Sequence, residues 1–301
     1  MLLPLPNSTL APLEALDSDL LIRCASYLDA DGLARLGRAS AAFGTPQAGQ
    51  QRSLANEAAL LLFRQSATDE ERRCLPKHDG ESDIGLYRAL EQLREPLRFG
   101  QLAGYGLSLQ ENPARVMHIS RGAWSTAVSG HVMRGGRHFV EFAITNVNQN
   151  VPFVYLGVIR PVSLTNDIDF NAEWGGGVSP MFVPSLCHEV KEKLRSQRTS
   201  SWGDSDIHCC SYDCYHNGRC IGTDWDTSVP DSENAEWHGR EGWDGSGTIG
   251  LLLDLDEGAL SVFKNHRRLG VMRDGLSGEY CWFVSSCMNC VVSMLKSRAP
   301  N

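Results

Sequence analysis

The stretch Gly247–Met272, GTIGLLLDLDEGALSVFKNHRRLGVM, carries the reading of the fold. Its first half alternates strictly: Ile249, Leu251, Leu253 and Leu255 share one face, and Gly250, Leu252, Asp254 and Asp256 share the other. Side chains repeat every second residue in a β-strand, so this segment is a strand with one buried face. Burying each aliphatic side chain is worth roughly 1.5–3 kcal/mol, and four on one face hold the register against a one-residue slip. Asp256, Glu257 and Gly258 turn the chain into a second strand, Leu260 to Phe263. Asn265 and His266 make the next turn, where asparagine tolerates a left-handed backbone. Short strands in succession, joined by tight turns, form an antiparallel meander in a sandwich rather than parallel βαβ units.

Working outward, His138 to Ile144 alternates in the same way, with Val140, Phe142 and Ile144 on one face and Phe139, Glu141 and Ala143 on the other. Gly135-Gly136 turns the chain just before it, and Val154 to Ile159 is a further apolar run. The β character holds from about residue 100 onward. Before it, the periodicity is helical. Leu13, Leu16, Leu20 and Leu21 lead into Ile22, Ala25 and Leu28, and Leu33, Leu36, Ala39 and Phe43 form a second stripe after the break at Asp29–Gly32. Leu54, Ala58, Leu61 and Leu62 continue as helix to Pro76, and Ser82 caps a helix carrying Leu86, Leu90, Leu93 and Leu97. The fold class is therefore α+β, multidomain. A helical module at residues 10–50 is followed by a helical connector at 51–99 and an antiparallel β-sandwich at 100–298. A module of about 40 residues cannot bury a sufficient core alone and must lean on a partner or a neighbour.

The chain has 301 residues, 42% of them hydrophobic, and a formal charge of −8, an ordinary globular balance. A net acidic chain whose basic runs are as short as Lys191–Arg198 and Lys264–Arg268 is read as binding no nucleic acid, because a phosphate track needs clustered Lys and Arg. No stretch approaches the roughly 20 apolar residues that span a bilayer. The opening MLLPLPNSTL lacks a basic start and carries Pro4 and Pro6, so it is not read as a signal peptide. The expectation is a cytoplasmic or nuclear protein whose ten cysteines are reduced.

Two resemblances follow from these residues. Gly247–Met272 looks like the central signature of SPRY domains, with a Leu-Asp pair, a tight turn, the strand LSVFKN and then RRLG. HFVEFAI at 138–144 matches the upstream strand of that family, and GEYCWFVSSCMNCVVSML at 278–295 matches its closing strand. His266 stands where the family favours glycine, and Asn166–Trp225 is a long departure. The resemblance implies a twisted sandwich without catalytic chemistry or cofactor, holding a protein or peptide at loops on one rim. It assigns that rim to Arg121, Trp124, Asn146, Asn148, Ser286, Met288 and Asn289.

The second resemblance is carried by LDSDLLIRCASYLDADGLARLGRASAAFG at 16–44, which is similar to an F-box, the helical module that docks the Skp adaptor of cullin–RING ubiquitin ligases. Asp17 replaces the usual proline, and Phe43 stands near the expected tryptophan. It implies adaptor contacts at Leu16, Leu20, Leu28, Leu33 and Leu36. Together the two make the chain an adaptor, the substrate receptor of a ubiquitin ligase. The alternative is an interaction scaffold with no ligase link.

The run HCCSYDCYHNGRC places His208, Cys209, Cys210, Cys214, His216 and Cys220 close together, with Cys287-x-x-Cys290 further on. Zinc needs four such ligands in a tetrahedron. Asn217-Gly218 instead makes the run a β-hairpin, whose alternation splits the ligands between faces, so no metal is expected. Seven tryptophans all lie in the β region, most of them expected in the core. Those in the loops AEWGGG, SSWGDS and EGWDGS are the exceptions, read as candidate binding anchors.

Overall fold

Asp29 divides the first apolar stripe from the second because its carboxylate accepts the Gly32 N–H at 2.7 Å, ending one turn and starting a helix. The helices so separated are α1 (Ser18–Ala25) and α2 (Ala30–Ala39). They are followed by α3 (Ala41–Gly44), α4 (Leu54–Ser66), α5 (Asp69–Cys74) and α6 (Asp83–Arg94). Ser53 and Ser82 cap α4 and α6, and Thr68 with Glu71 forms a reciprocal capping box on α5. This architecture comes from a computed structural model, which describes residues 17–46, 49–119, 122–146, 153–165, 168, 173–174, 177–183, 188–225, 237–243, 245, 247–297 and 299–300. The chain divides into two compact units, Met1–Glu95 and Pro96–Asn301.

In the first unit, Leu21, Ala25, Leu33, Phe43, Leu54, Ala55, Ala58 and Ala59 form one cluster, so α1, α2 and α4 share a core. The expected adaptor contacts divide between this core and the surface. Leu33 is fully buried there and Leu36 packs partly buried against it, because the small alanine face of α4 closes over the stripe on α2. Leu20 and Leu28 remain exposed, at 49% and 37%, and Tyr27 between them is 91% exposed. Leu16 lies outside the described residues.

The second unit contains β1 (Phe99–Ala103), β2 (Leu107–Leu109), β3 (Arg115–His118), β4 (Ser125–Met133), β5 (Arg137–Asn146), β6 (Val154–Ile159), α7 (His188–Ser196), β7 (Cys209–Asp213), β8 (Arg219–Thr223), β9 (Thr248–Asp254), β10 (Ala259–Lys264), β11 (Arg267–Arg273), β12 (Tyr280–Ser286) and β13 (Cys290–Leu295). Two antiparallel sheets form the sandwich. One runs β1-β4-β12-β6-β7-β8 and the other β11-β10-β9-β5-β13-β3-β2. Their facing side chains interdigitate, with Val140, Phe142, Ile249 and Leu251 from the seven-stranded sheet meeting Leu156, Val158, Tyr212 and Trp282 from the six-stranded one. The turn at Asn265-His266 takes positive φ at both residues, 49° and 64°, the backbone twist that suits a two-residue hairpin.

The described residues of the connection between β6 and β7 cover the outer face of the six-stranded sheet. Val128, Tyr155, Ile159, Cys209, Ile221 and Phe283 project outward from it. They meet Val162, Leu164, Trp174, Val178, Met181, Val190 and Leu194 in a second core. Both faces of β6, β7 and β12 are consequently buried. The loop tryptophans belong here or in the sandwich core: Trp174, Trp202, Trp225 and Trp243 are all 3% exposed or less and serve as packing, not as exposed anchors.

His138 sits at 8% exposure with Nε2 2.8 Å from the Gly135 carbonyl. Burial pulls its pKa from 6.5 down to about 4, with the Gly135 bond opposing and His131 adding to the shift. The unfolded ring gains its proton below 6.5 and the folded ring only near 4, so stability present above pH 6.5 drains away as the pH falls through that window. The loss expected by pH 4 is about 3 kcal/mol. Urea midpoints should therefore show the advantage of the wild type over His138→Gln shrinking by that amount between neutral pH and pH 4. A constant difference would contradict it.

Candidate functional site

Strand register brings several chain connections to one end of the sandwich. Ser286 ends β12 between Ser125, which begins β4, and Val154, which begins β6. Cys290 begins β13 between His118, which ends β3, and Asn146, which ends β5. Asp213 ends β7 between Tyr155 and Arg219. Trp124, Met288 and Asn289 therefore share this end, each partly exposed. Asn146 contributes a paired backbone there. Its side chain, together with Arg121 and Asn148, lies outside the described residues.

Ser286 needs correction as a surface contact. It is 1% exposed, and its hydroxyl accepts the Met288 N–H at 3.3 Å and lies 3.2 Å from both the Met288 carbonyl and Cys290 Sγ. Those bonds shape the turn that presents Met288 and Asn289. The Gly122 N–H donates to the Cys287 carbonyl at 3.1 Å, tying the segment before Trp124 to that same turn.

Trp124 stacks on Tyr155 with ring centroids 4.8 Å apart and planes 18° from parallel. Phe182 closes the group at 6.4 Å from Trp124 and 5.6 Å from Tyr155, itself 41% exposed. The covering segment is clamped to β4 by the Val178 N–H donating to the Trp124 carbonyl and the Thr126 hydroxyl donating to the Val178 carbonyl, both at 2.8 Å. Burial, reinforced by Asp213, pushes the Tyr155 phenol well above its usual range, so it stays neutral.

A second aromatic group stands beside it. Phe153 stacks on Tyr215 at 3.7 Å, and His216 meets Tyr215 edge-on at 4.8 Å. Asp213, only 1% exposed, organises this hairpin turn. Its carboxylate accepts the Tyr215 N–H at 2.9 Å and the His216 N–H at 3.1 Å, and His216 Nδ1 lies 2.6 Å from its other oxygen. Asn217 and Gly218 complete the turn at φ 57° and 71°. The end thus offers aromatic faces, a thioether and an amide on a scaffold fixed by two sheets. Aromatic residues are the usual anchors of protein contacts.

Phe153, Tyr155, Phe182, Tyr215 and His216 are absent from the sequence-derived site. Phe153 and Tyr215 are 62 positions apart, and only the pairing of Tyr155 with Asp213 puts them opposite each other. The hairpin around Asn217-Gly218 was legible, but its partner strand was not.

The Cys/His run divides unevenly between the two cores. Cys209 turns to the second core, where its Sγ is 3.1 Å from Met181 Sδ, whereas Cys210, Cys214 and Cys220 turn into the sandwich core. His208 and His216 flank β7 at its opposite ends. Among the described residues no three of His, Cys, Asp and Glu are placed to share a metal ion. Burial pushes the Cys287 and Cys290 thiols up to about 11, so both remain protonated at neutral pH.

Among the described residues no helix is long and apolar enough to cross a membrane. No family model matches the chain, and no curated protein matches it. Among solved structures it is similar to the SPRY domain of human HERC1, with a TM-score of 0.42 and 15% identity over 67% of this chain and 99% of that one. It is similar to the NEUZ (NHR) domain in Neuralized from Drosophila melanogaster, with a TM-score of 0.40 and 13% identity over 68% of this chain and 94% of the other. It is also similar to the carbohydrate binding module CBM66 from Bacillus subtilis, with a TM-score of 0.36 and 10% identity over 66% and 94% of the two chains.

Proposed function

We propose that this chain is a protein-binding adaptor whose SPRY-type sandwich holds a protein or peptide at the end bearing Trp124, Met288 and Asn289. The observation that carries this reading is the Trp124–Tyr155–Phe182 group beside the Ser286-braced turn, a partly exposed aromatic and thioether surface on paired strands. Binding surfaces built on such supports lose little entropy on association. Arg121, Asn146 and Asn148 join the site by family resemblance, supplying forked donors and backbone-bonding amides.

The helical unit extends the proposal. Leu20, Tyr27 and Leu28 are exposed apolar side chains on and just after α1, open to a partner. We assign them to the Skp adaptor of a cullin–RING ligase, which makes the chain a substrate receptor. Burial of Leu33 favours the rival reading, an interaction scaffold whose helices hold themselves together without a ligase.

One purification separates these outcomes. Tagged full-length chain is recovered from its native cells as wild type, as Met288→Asp and as Leu20→Asp with Leu28→Asp. Met288→Asp should reduce capture of the rim partner about tenfold or more while leaving any adaptor bound. The double leucine variant should do the reverse. A partner retained equally by Met288→Asp removes the rim assignment, and a wild type that never brings down the adaptor leaves the scaffold reading.

A further inference from the structure

An edge strand presents a row of backbone groups that something must cover, and β2 is an edge of the seven-stranded sheet. The other sheet edges are guarded. Residues 238–239 lie along β11, where a Cβ on Gly239 would fall 2.0 Å from the Leu269 carbonyl oxygen. The Gln101 side chain of β1 accepts the Leu164 N–H at 2.9 Å, and β8 is buried at all but its first residue. β2 carries no such guard. The segment Tyr105–Gln110, YGLSLQ, holds no proline and no charge, and its register with β3 runs without a bulge.

The bonds to β3 decide which groups face outward. The Ile119 N–H donates to the Gly106 carbonyl and the Gln110 N–H to the Arg115 carbonyl, both at 3.0 Å. Bonding alternates along an antiparallel strand, so Gly106, Ser108 and Gln110 face β3. Leu107 and Leu109 turn their N–H and C=O groups to the open edge, and among the described residues nothing bonds to those four groups. Both leucines lie on the core face, opposite the buried His118 and Val116. Leu107 packs on the sandwich core, yet Leu109 is 46% exposed because no strand lies beyond it. Such a side chain on the core face is an apolar surface left open at an unpaired edge.

We infer that β2 is a pairing edge for a second copy of this chain, which joins two seven-stranded sheets into one. The edge is complementary to itself. About a two-fold axis at Ser108, Leu107 lies opposite Leu109 of the second copy, and Leu109 opposite its Leu107. Both are hydrogen-bonded pairs, so all four outward groups of each strand are satisfied together. Each Leu109 then packs beside the second copy's Leu107 on the core face. The contact is one three-residue strand, well below the roughly 1,200 Å² of a standard interface, so the dimer is reversible. The pairing does not depend on the rim reading.

The test is sedimentation equilibrium of the full chain. Wild type should pass from monomer towards dimer between about 10 and 500 μM. Leu109→Lys puts a charge on the edge and should weaken dimerisation about tenfold or more. Val271→Lys makes the same kind of change on β11, at the opposite edge, and should stay within about twofold. Urea midpoints confirm that both variants fold, and cross-linking decides should Leu109→Lys be destabilised. The two-fold sets the two Ser108 Cα atoms about 4.5 Å apart, within reach of a disulfide, and the two Gln110 Cα atoms about 13 Å apart. Oxidised glutathione, itself reduced as the two thiols join, should convert most Ser108→Cys chains to covalent dimer. Gln110→Cys should stay at the wild-type background, which the exposed Cys24 sets. A wild type that is monomeric throughout overturns the inference. So does a dimer that survives Leu109→Lys unchanged, or Gln110→Cys cross-linking as fully as Ser108→Cys.

Discussion

Arg160→Met is expected to lower the unfolding free energy by about 4–5 kcal/mol, because a buried charge whose two terminal nitrogens hold three carbonyls is expensive to delete. Arg160 follows β6 and is 0% exposed. Its Nη1 donates to the Ser277 carbonyl at 2.8 Å and the Glu279 carbonyl at 3.2 Å, and its Nη2 donates to the Ser205 carbonyl at 2.8 Å. The guanidinium lies 4.1 Å from the centre of the Tyr280 ring and 5.6 Å from that of Trp202. Methionine fills the space but leaves these carbonyls without their charged donor, each worth roughly 1–3 kcal/mol when buried and unsatisfied. Arg160→Lys keeps the charge and loses the fork, so its cost should be smaller, about 2 kcal/mol. Urea unfolding followed by tryptophan fluorescence measures both. Limited proteolysis adds a local readout, since residues 199–208 are tethered to 277–280 through this side chain and should be cut first in Arg160→Met. A loss below about 1 kcal/mol would mean that the carbonyls find other donors.

Gly157→Val should be comparably damaging, at about 4 kcal/mol, for a steric reason. Gly157 is the centre of β6, paired with Phe283 of β12 on one side and Ser211 of β7 on the other. A Cβ built there falls 1.9 Å from the Cys210 carbonyl oxygen and 2.8 Å from the Ser211 Cα. Both are backbone atoms of a strand whose two faces are buried, so neither can withdraw without parting β6 from β7. The aromatic site depends on that pairing, because it sets Tyr155 beside Asp213. The variant should therefore lose rim binding together with stability. A soluble Gly157→Val that unfolds at the wild-type urea midpoint would refute the close approach. Glycine in a strand otherwise reads as a weak β-former, and nothing in VYLGVI signals the constraint.

Legibility followed interaction range. The alternation in GTIGLLLDL and HFVEFAI put Ile249, Leu251, Val140 and Phe142 on the buried face, and the structure has them there. The hairpin at Asn217-Gly218 and the helix starting at Ser82 were equally plain, since turn backbone and capping chemistry are settled within a few residues. The loop tryptophans misled because glycine-rich surroundings read as exposed loop. Trp174 and Trp202 are instead drawn into a second core, which the described residues of the β6–β7 connection form over the sheet. Leu33 is covered for the same reason, as its covering face on α4 lies more than twenty residues away.

What one strand, turn or cap decides was written in the order of the residues: which segments are helix, which are strand, and which face of each is apolar. The choice of neighbours was not. The stacking of Phe153 on Tyr215 and the burial of Arg160 both depend on which strands pair and which segment covers them. Local periodicity carries no information about partners, because side chains far apart in the chain meet only after the sheets have closed.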